Sequence, residues 1–144
     1  MLKQKSAEKN DYPALIALWE RSVIATHHFL SEADRNKLKK EIPSYFPFVK
    51  LLLWFNEEEL VGFSGTNDNH LEMLFIDPNH FRQGYGGQIL QYLTMKQSVD
   101  SVDVNKDNPQ ATAFYLKNGF SIISESPTDG QNRAYPILHL RKAQ

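Results

Sequence analysis

Apolar residues recur along this chain in two rhythms. Behind Asp11 they fall at Leu15, Leu18, Trp19 and Val23, so residues 11–25 are predicted to form an amphipathic helix. Asp11 is expected to be its N-cap, its carboxylate accepting from backbone N–H groups that lack an intrahelical partner. Ser31 is placed to cap a second, more charged helix that ends before Pro43. The segment Pro43-Ser44-Tyr45-Phe46-Pro47-Phe48 is expected not to be regular helix, because two prolines interrupt it.

The period then shortens. Lys50–Phe55 and Leu60–Thr66 read as strands joined by the turn Asn56-Glu57-Glu58-Glu59. His70–Ile76 reads as a third strand, stopped by Asp77-Pro78. A helix follows from Gly84 to about Gln97 and buries Ile89, Leu90 and Leu93. Val102-Asp103-Val104 is a short strand. Asn108 caps the next helix, with Pro109 in its first turn, and Asn118-Gly119 closes it, the glycine supplying a left-handed residue. Phe120–Ser124 and Tyr135–Leu140 are the last strands. Antiparallel strands come first and strand–helix–strand–helix–strand follows. The pattern predicts an α/β (α+β) fold, a mixed sheet flanked by helices.

Composition narrows the choice of function. A chain of 144 residues suits one domain with one core, and no repeat, low-complexity tract or linker divides it, so residues 1–144 are read as a single domain. The formal charge of -1, with no long single-sign run, argues against a nucleic-acid partner. The absence of cysteine excludes a disulfide framework, a thiolate nucleophile and a Cys-based zinc site. No His/Asp/Glu cluster has metal-ligand spacing, so no metal is expected. Met1-Leu2-Lys3-Gln4-Lys5 is polar and lacks the apolar stretch of a secretion signal. The longest apolar run, Leu51-Leu52-Leu53-Trp54-Phe55, is far below the roughly 18 residues of a membrane span. The expectation is therefore no membrane partner and a cytoplasmic location.

The most informative segment runs from Leu74 to Leu90, where a strand enters a glycine turn and then a helix. Gly84, Gly86 and Gly87 permit positive φ and close approach of backbone N–H groups to a ligand. Those groups sit at the positive end of a helix, which favours phosphate or pyrophosphate. Arg82 adds a charge-assisted donor. The alternative is a plain sharp corner. A P-loop is excluded, because Gln88 and Ile89 stand where Lys and Ser/Thr would be needed. A dinucleotide fold is excluded as well: Ile89 stands where a third Gly or Ala is required, and Asp103 alone does not rescue the case.

A second segment, Val104 to Phe120, combines with the first. It carries Asn108, Ala111, Phe114-Tyr115 and Gly119-Phe120. Together with Gly84-Tyr85-Gly86, in this order and at this spacing, it resembles the GNAT acetyltransferases, which have a glycine signature R/Q-x-x-G-x-G/A followed by an Asn-x-x-Ala…Phe-Tyr…Gly-Phe run. The resemblance covers residues 60–140 well and the N-terminal helices more loosely, through Trp19-Glu20-Arg21-Ser22 and Ala25-Thr26-His27-His28-Phe29-Leu30. The whole is similar to the small stand-alone bacterial members. One departure is plain: Phe81 stands where the family has Arg or Gln, and the cation, Arg82, comes one position later. The backbone cradle needs no particular side chain.

The resemblance implies a GNAT-like, mostly antiparallel central sheet with a splayed strand pair. The strand ending at Ile76 parts from its neighbour at Val104. Acetyl-coenzyme A is then the cosubstrate, its pantetheine pairing with backbone near Leu74, Phe75 and Ile76 and its pyrophosphate on Arg82, Gln83, Gly84, Tyr85, Gly86 and Gly87. Asn105 or Asn108 would hydrogen-bond it, and a capping role accounts for Asn108 equally well. An amine attacks the thioester directly. Tyr115 is implied as general acid for the departing thiolate, against the plain reading of a core tyrosine on an amphipathic helix.

His70 and Glu72 are two apart on one strand and are expected to share a face. If that face lines the cleft, either is a candidate general base; the alternative is a solvated strand end. His27 and His28 stand at the end of the first helix, where an acceptor would bind. Adjacent residues diverge around a helix, so they are a poor metal pair, and a structural or surface role competes. The aromatic loop around Tyr45, Phe46 and Phe48 is read as an acceptor cover or as core packing, and Tyr135 as a further wall. The expected activity is N-acetylation of a small-molecule primary amine by a monomer or homodimer. Acetylation of a protein N-terminus or lysine, and a non-catalytic coenzyme A sensor, are the alternatives.

Overall fold

The computed structural model describes residues 2–130 and 132–143. Among these, seven strands form one sheet: β1 (Lys3–Ser6), β2 (Lys50–Asn56), β3 (Glu59–Asn67), β4 (His70–Ile76), β5 (Ser101–Asn105), β6 (Phe120–Ser126) and β7 (Ile137–Lys142). Four α-helices cover it: α1 (Tyr12–Thr26), α2 (Glu32–Tyr45), α3 (Tyr85–Lys96) and α4 (Pro109–Lys117). The strand order is β1-β2-β3-β4-β5-β7-β6. Every neighbouring pair is antiparallel except β4 and β5.

Both faces of the sheet are covered, which explains why β2 reads as an unbroken apolar run rather than an alternation. Leu51 and Leu53 face one way and pack with Leu15, Leu18, Trp19 and Val23 of α1. Leu52 and Trp54 face the other way and join Ile89, Leu90 and Leu93 of α3 and Tyr115 of α4. Leu15, Leu18 and Leu93 are fully buried. Each such side chain stabilises the fold by about 1.5–3 kcal/mol. The indole of Trp54 donates to Ser64 Oγ at 2.9 Å, so the buried polar groups of this layer satisfy one another.

The structure departs from the expectations at the N-terminal end. Strand β1, Lys-Gln-Lys-Ser, pairs with β2 although all four residues are exposed. An edge strand held by its backbone pairing and one polar side-chain bond, from Gln4 Nε2 to the Tyr92 hydroxyl at 2.9 Å, leaves no apolar alternation to read. Helix α2 does not stop before Pro43 but runs to Tyr45, with Pro43 in its last turn. The ring removes one N–H near a helix end, where carbonyls already lack partners, while Ile42 and Phe46 on either side are buried and hold the turn. Phe46–Phe48 then form a 3-10 turn whose Phe46 packs into the core while Phe48 is exposed. Asp11 precedes α1, but its carboxylate accepts from the Glu8 N–H at 2.8 Å, behind the helix rather than in it.

Candidate active site

The parallel pair β4–β5 is joined only at its start, by His70 opposite Ser101 and Leu71 opposite Val102. Past these residues the strands part. Half of the backbone N–H and C=O groups of the rest of β4 therefore face the gap with no strand to bond. The gap opens into a cleft of about 800 Å³. Its walls are β4, β5, the end of α1, the glycine turn and α4.

At one end lies the glycine turn. Asp77, which is buried, ends β4: it accepts from the Asn79 N–H at 3.1 Å and from Arg21 Nη2 at 2.6 Å. Arg82 has φ 64° and Gly84 has φ 79°, both left-handed. For an arginine this conformation costs about 1–2 kcal/mol, and such strain concentrates at functional sites. A Cβ added at Gly84 or Gly87 would meet nothing within 4 Å, so both backbone positions lie open. Gln88 N–H makes the first bond of the helix, to the Gly84 carbonyl at 3.1 Å. The N–H groups of Gly84, Tyr85, Gly86 and Gly87 thus have no intrahelical acceptor and present the positive end of α3 to the cleft.

In the middle of the cleft stand three side chains from the second segment. Asn108 Oδ1 accepts from the Ala111 N–H at 3.1 Å, capping α4. Asn105, at the end of β5, has a buried Oδ1 with no hydrogen-bond partner. A buried acceptor without a donor is costly unless a ligand supplies one. Tyr115 is buried between Phe114 and Phe120, with ring centroids 5.0 and 5.8 Å away. Burial pushes its phenol above the ordinary range and keeps it a neutral O–H donor. These features fit acetyl-coenzyme A: an open N-terminus for the diphosphate, and free strand edges and an orphan acceptor for its amide-bearing arm.

The other end is aromatic. The His27 ring lies 5.2 Å from Phe29 and 6.5 Å from Phe75, and Phe29 lies 6.2 Å from Tyr135. Tyr135 precedes β7, and its hydroxyl donates to Asp34 of α2, tying the β6–β7 loop to the helix. Arg133 adds an ion pair with Glu41 at 3.2 Å. Burial, and then the adjacent His28, lower His27 to about 4. His27 lines the cleft, whereas His28 is exposed and does not. Gln83 and Tyr135 also lie outside the lining.

The two candidate bases are separated. Thr66 of β3 faces Leu71, and the next pair is Gly65 with Met73, so Glu72 has no partner. This bulge breaks the alternation on which a shared face for His70 and Glu72 depended. Glu72 lines the cleft; His70 does not. His70 Nδ1 lies 2.7 Å from Ser101 Oγ, and its Nε2 lies 3.5 Å from Asp103. The bond to Asp103 raises its pKa, against the opposing effect of burial. Asp103 also holds His139 at 2.6 Å, and its carboxyl is pulled low first by His70. Sequence reading missed Ser22, Thr26, Asp103 and Phe114 as cleft residues. Phe114 could have been found, since it adjoins Tyr115 on a helix opening into the site. The others carried no local signal.

Comparison with known proteins agrees with this geometry. A family model described as an acetyltransferase (GNAT) domain matches residues 5–133. The chain is 35% identical over 142 residues to the peptidyl-lysine N-acetyltransferase YjaB of Salmonella typhimurium, covering 97% of each. It is 36% identical over 127 residues to the protein of that name from Escherichia coli K12, covering 88% of this chain and 86% of that one. A solution structure of the apo form of Escherichia coli YjaB superposes with a TM-score of 0.90 at 32% identity, over 99% of this chain and 98% of that one.

Proposed function

The chain belongs to the GNAT acetyltransferases, and from that premise we propose that it moves an acetyl group from acetyl-coenzyme A onto lysine side-chain amines of proteins. The observation that carries the reading is one continuous cleft lined by the open N-terminus of α3, the buried phenol of Tyr115 and the rings of His27 and Phe75. The lysine acceptor is supported by the names of the two relatives, both peptidyl-lysine N-acetyltransferases.

Acetyl-coenzyme A supplies an acyl carbon activated as a thioester. The chain's own groups do the rest. Backbone N–H groups of residues 84–87, with Arg82 beside them, bind the diphosphate. The free edge at Leu74, Phe75 and Ile76 and the Asn105 amide orient the arm. Asn108 holds α4, and with it Tyr115, in place. The lysine ammonium first loses a proton to water ordered by Glu72, the exposed carboxylate at the bulge. The free amine then forms the new C–N bond as the C–S bond breaks. Tyr115 gives its proton to the departing sulfur, and the amide nitrogen gives up its second proton to solvent, which re-protonates Tyr115. The net change is one proton released per acetyl group transferred. His70, held by Asp103 toward its charged form, supports that carboxylate rather than accepting a proton.

The test uses isotopically labelled acetyl-coenzyme A with a mixture of cell proteins in one arm and a panel of small amines in the other. Label on lysine residues, with little thiol release from the small amines, is the expected result. Thiol release from small amines with no labelled lysine would overturn the protein acceptor in favour of a small-molecule one. Coenzyme A binding without transfer in either arm would leave only a sensor.

A further inference from the structure

The acceptor end of the cleft contains a histidine whose tautomer is set by its neighbours. Thr26 Oγ1 lies 2.8 Å from the Ser22 carbonyl and 2.7 Å from His27 Nδ1. A hydroxyl has one proton, and a carbonyl can only accept. Thr26 therefore donates to Ser22, and its oxygen can only receive a hydrogen from Nδ1. The neutral ring then carries its lone pair on Nε2, and no group among the described residues is bonded there. Phe29 and Phe75 flank the ring, with Phe75 on the cleft wall, and restrict its rotation.

We propose that His27 Nε2 accepts an N–H of the incoming amine and fixes the direction of its lone pair, with Thr26 as the positioning residue that sets the tautomer. The proposal rests on the acetyltransferase reading and adds to it the group that holds the acceptor. Two observations of the ring's surroundings agree. Burial and His28 keep His27 neutral near pH 7, with a pKa of about 4. His28 is the titratable neighbour on its own segment, while the rings packed on it from the loop and from β4 are both phenylalanines. So weak a base does not keep the ammonium's proton. It selects the neutral amine and leaves deprotonation to water and Glu72.

The experiment compares His27→Phe, Thr26→Val and Thr26→Ser in the full chain, with Nα-blocked lysine as acceptor. Losing one hydrogen bond to the amine raises its KM, or lowers kcat/KM, by about 10-fold to 100-fold. Binding of acetyl-coenzyme A, read by thermal shift, stays unchanged. Thr26→Val lowers kcat/KM in the same sense and Thr26→Ser restores it. Long-range nitrogen–proton NMR of His27 shows hydrogen on Nδ1 in the wild type and loss of that preference in Thr26→Val. Hydrogen on Nε2 in the wild type, or His27→Phe with an unchanged amine KM and kcat, overturns the proposal alone. A wild type that binds acetyl-coenzyme A but releases no thiol with any amine overturns the transferase reading, and this proposal with it.

Discussion

Replacing Gly62 by alanine tests how the cleft wall is set. Gly62 lies on β3 directly opposite Ile76 of β4. A Cβ there would sit 2.6 Å from the Phe75 carbonyl oxygen and 2.9 Å from Ile76 Cδ1. The methyl group of Ile76 can rotate away, but the Phe75 carbonyl belongs to a paired strand and cannot. Strand β4 must therefore back away from β3, and the free side is the gap toward β5. Overpacking of this kind costs about 1–3 kcal/mol. Unfolding entropy is about 2.1 cal/mol/K per residue, so 144 residues give roughly 0.3 kcal/mol/K and a fall in Tm of about 3–10 °C. The backbone of Leu74, Phe75 and Ile76 moves with the strand, and a displacement of about 1 Å at such a site can cost on the order of 100-fold in rate. Scanning calorimetry reads the first effect, and thiol release at varied acetyl-coenzyme A the second. Gly65→Ala is the control: its Cβ would meet a Val49 methyl at 3.0 Å, a side chain able to turn, so a smaller loss is expected. A Gly62→Ala protein that melts within about 1 °C of wild type with an unchanged KM would refute the reasoning.

Tyr115→Phe should lower kcat by about 10²–10⁴-fold while leaving Tm and acetyl-coenzyme A affinity near wild type; an unchanged rate removes the hydroxyl from the mechanism. The two half-buried histidines should give opposite pH dependence of stability. His27 has a depressed pKa in the folded state, so its contribution is full above its ordinary 6.5 and is lost as pH falls toward 4. Allowing for partial exposure, that loss is about 1–2 kcal/mol, and denaturant melts of His27→Gln between pH 7 and 4 should show a shallower decline. His70 has a raised pKa, so its contribution is full below 6.5 and fades as pH rises through the raised value. Asp103→Asn should remove that alkaline-side decline, and an unaltered profile would show that the contact does not govern stability.

The elements that the sequence made legible are those whose side chains meet the core. The helix over Leu15, Leu18, Trp19 and Val23, the three antiparallel strands and both segment-linked helices could be found because burial imposes a period. Strand β1 could not, since Lys3, Gln4, Lys5 and Ser6 are all exposed and send no apolar side chain into the core. Pro43 misled because a local rule about helix interiors was applied to a last turn, where tertiary burial of Ile42 and Phe46 decides. The bulge at Glu72 was invisible, because it arises from the register between Gly65 and Met73 rather than from anything in β4 itself.

The same distinction divides the active site. Its coenzyme end is built from two contiguous stretches, 74–87 and 104–120, and from backbone geometry that glycine and asparagine announce locally. The proposed acceptor end draws on Thr26 at the end of α1, His27 just past it and Phe75 on β4, with Tyr135 beyond β6 packed behind through Phe29, residues brought together only by the folded sheet. The sequence offers His27 and His28 alike, with nothing local to choose between them. What distinguishes His27 is a threonine hydroxyl already committed to the Ser22 carbonyl, a property of three positions in one helix turn and its exit. The cosubstrate could thus be read from motifs, whereas the choice between a small amine and a lysine side chain could not. On the proposed reading that choice lies with the aromatic cluster beside the cleft, His27 and Phe75 on its wall with Phe29 and Tyr135 packed behind. The tie of Tyr135 to Asp34 and of Arg133 to Glu41 holds that cluster from outside the two cosubstrate segments, so its shape can vary without disturbing the chemistry proposed behind it.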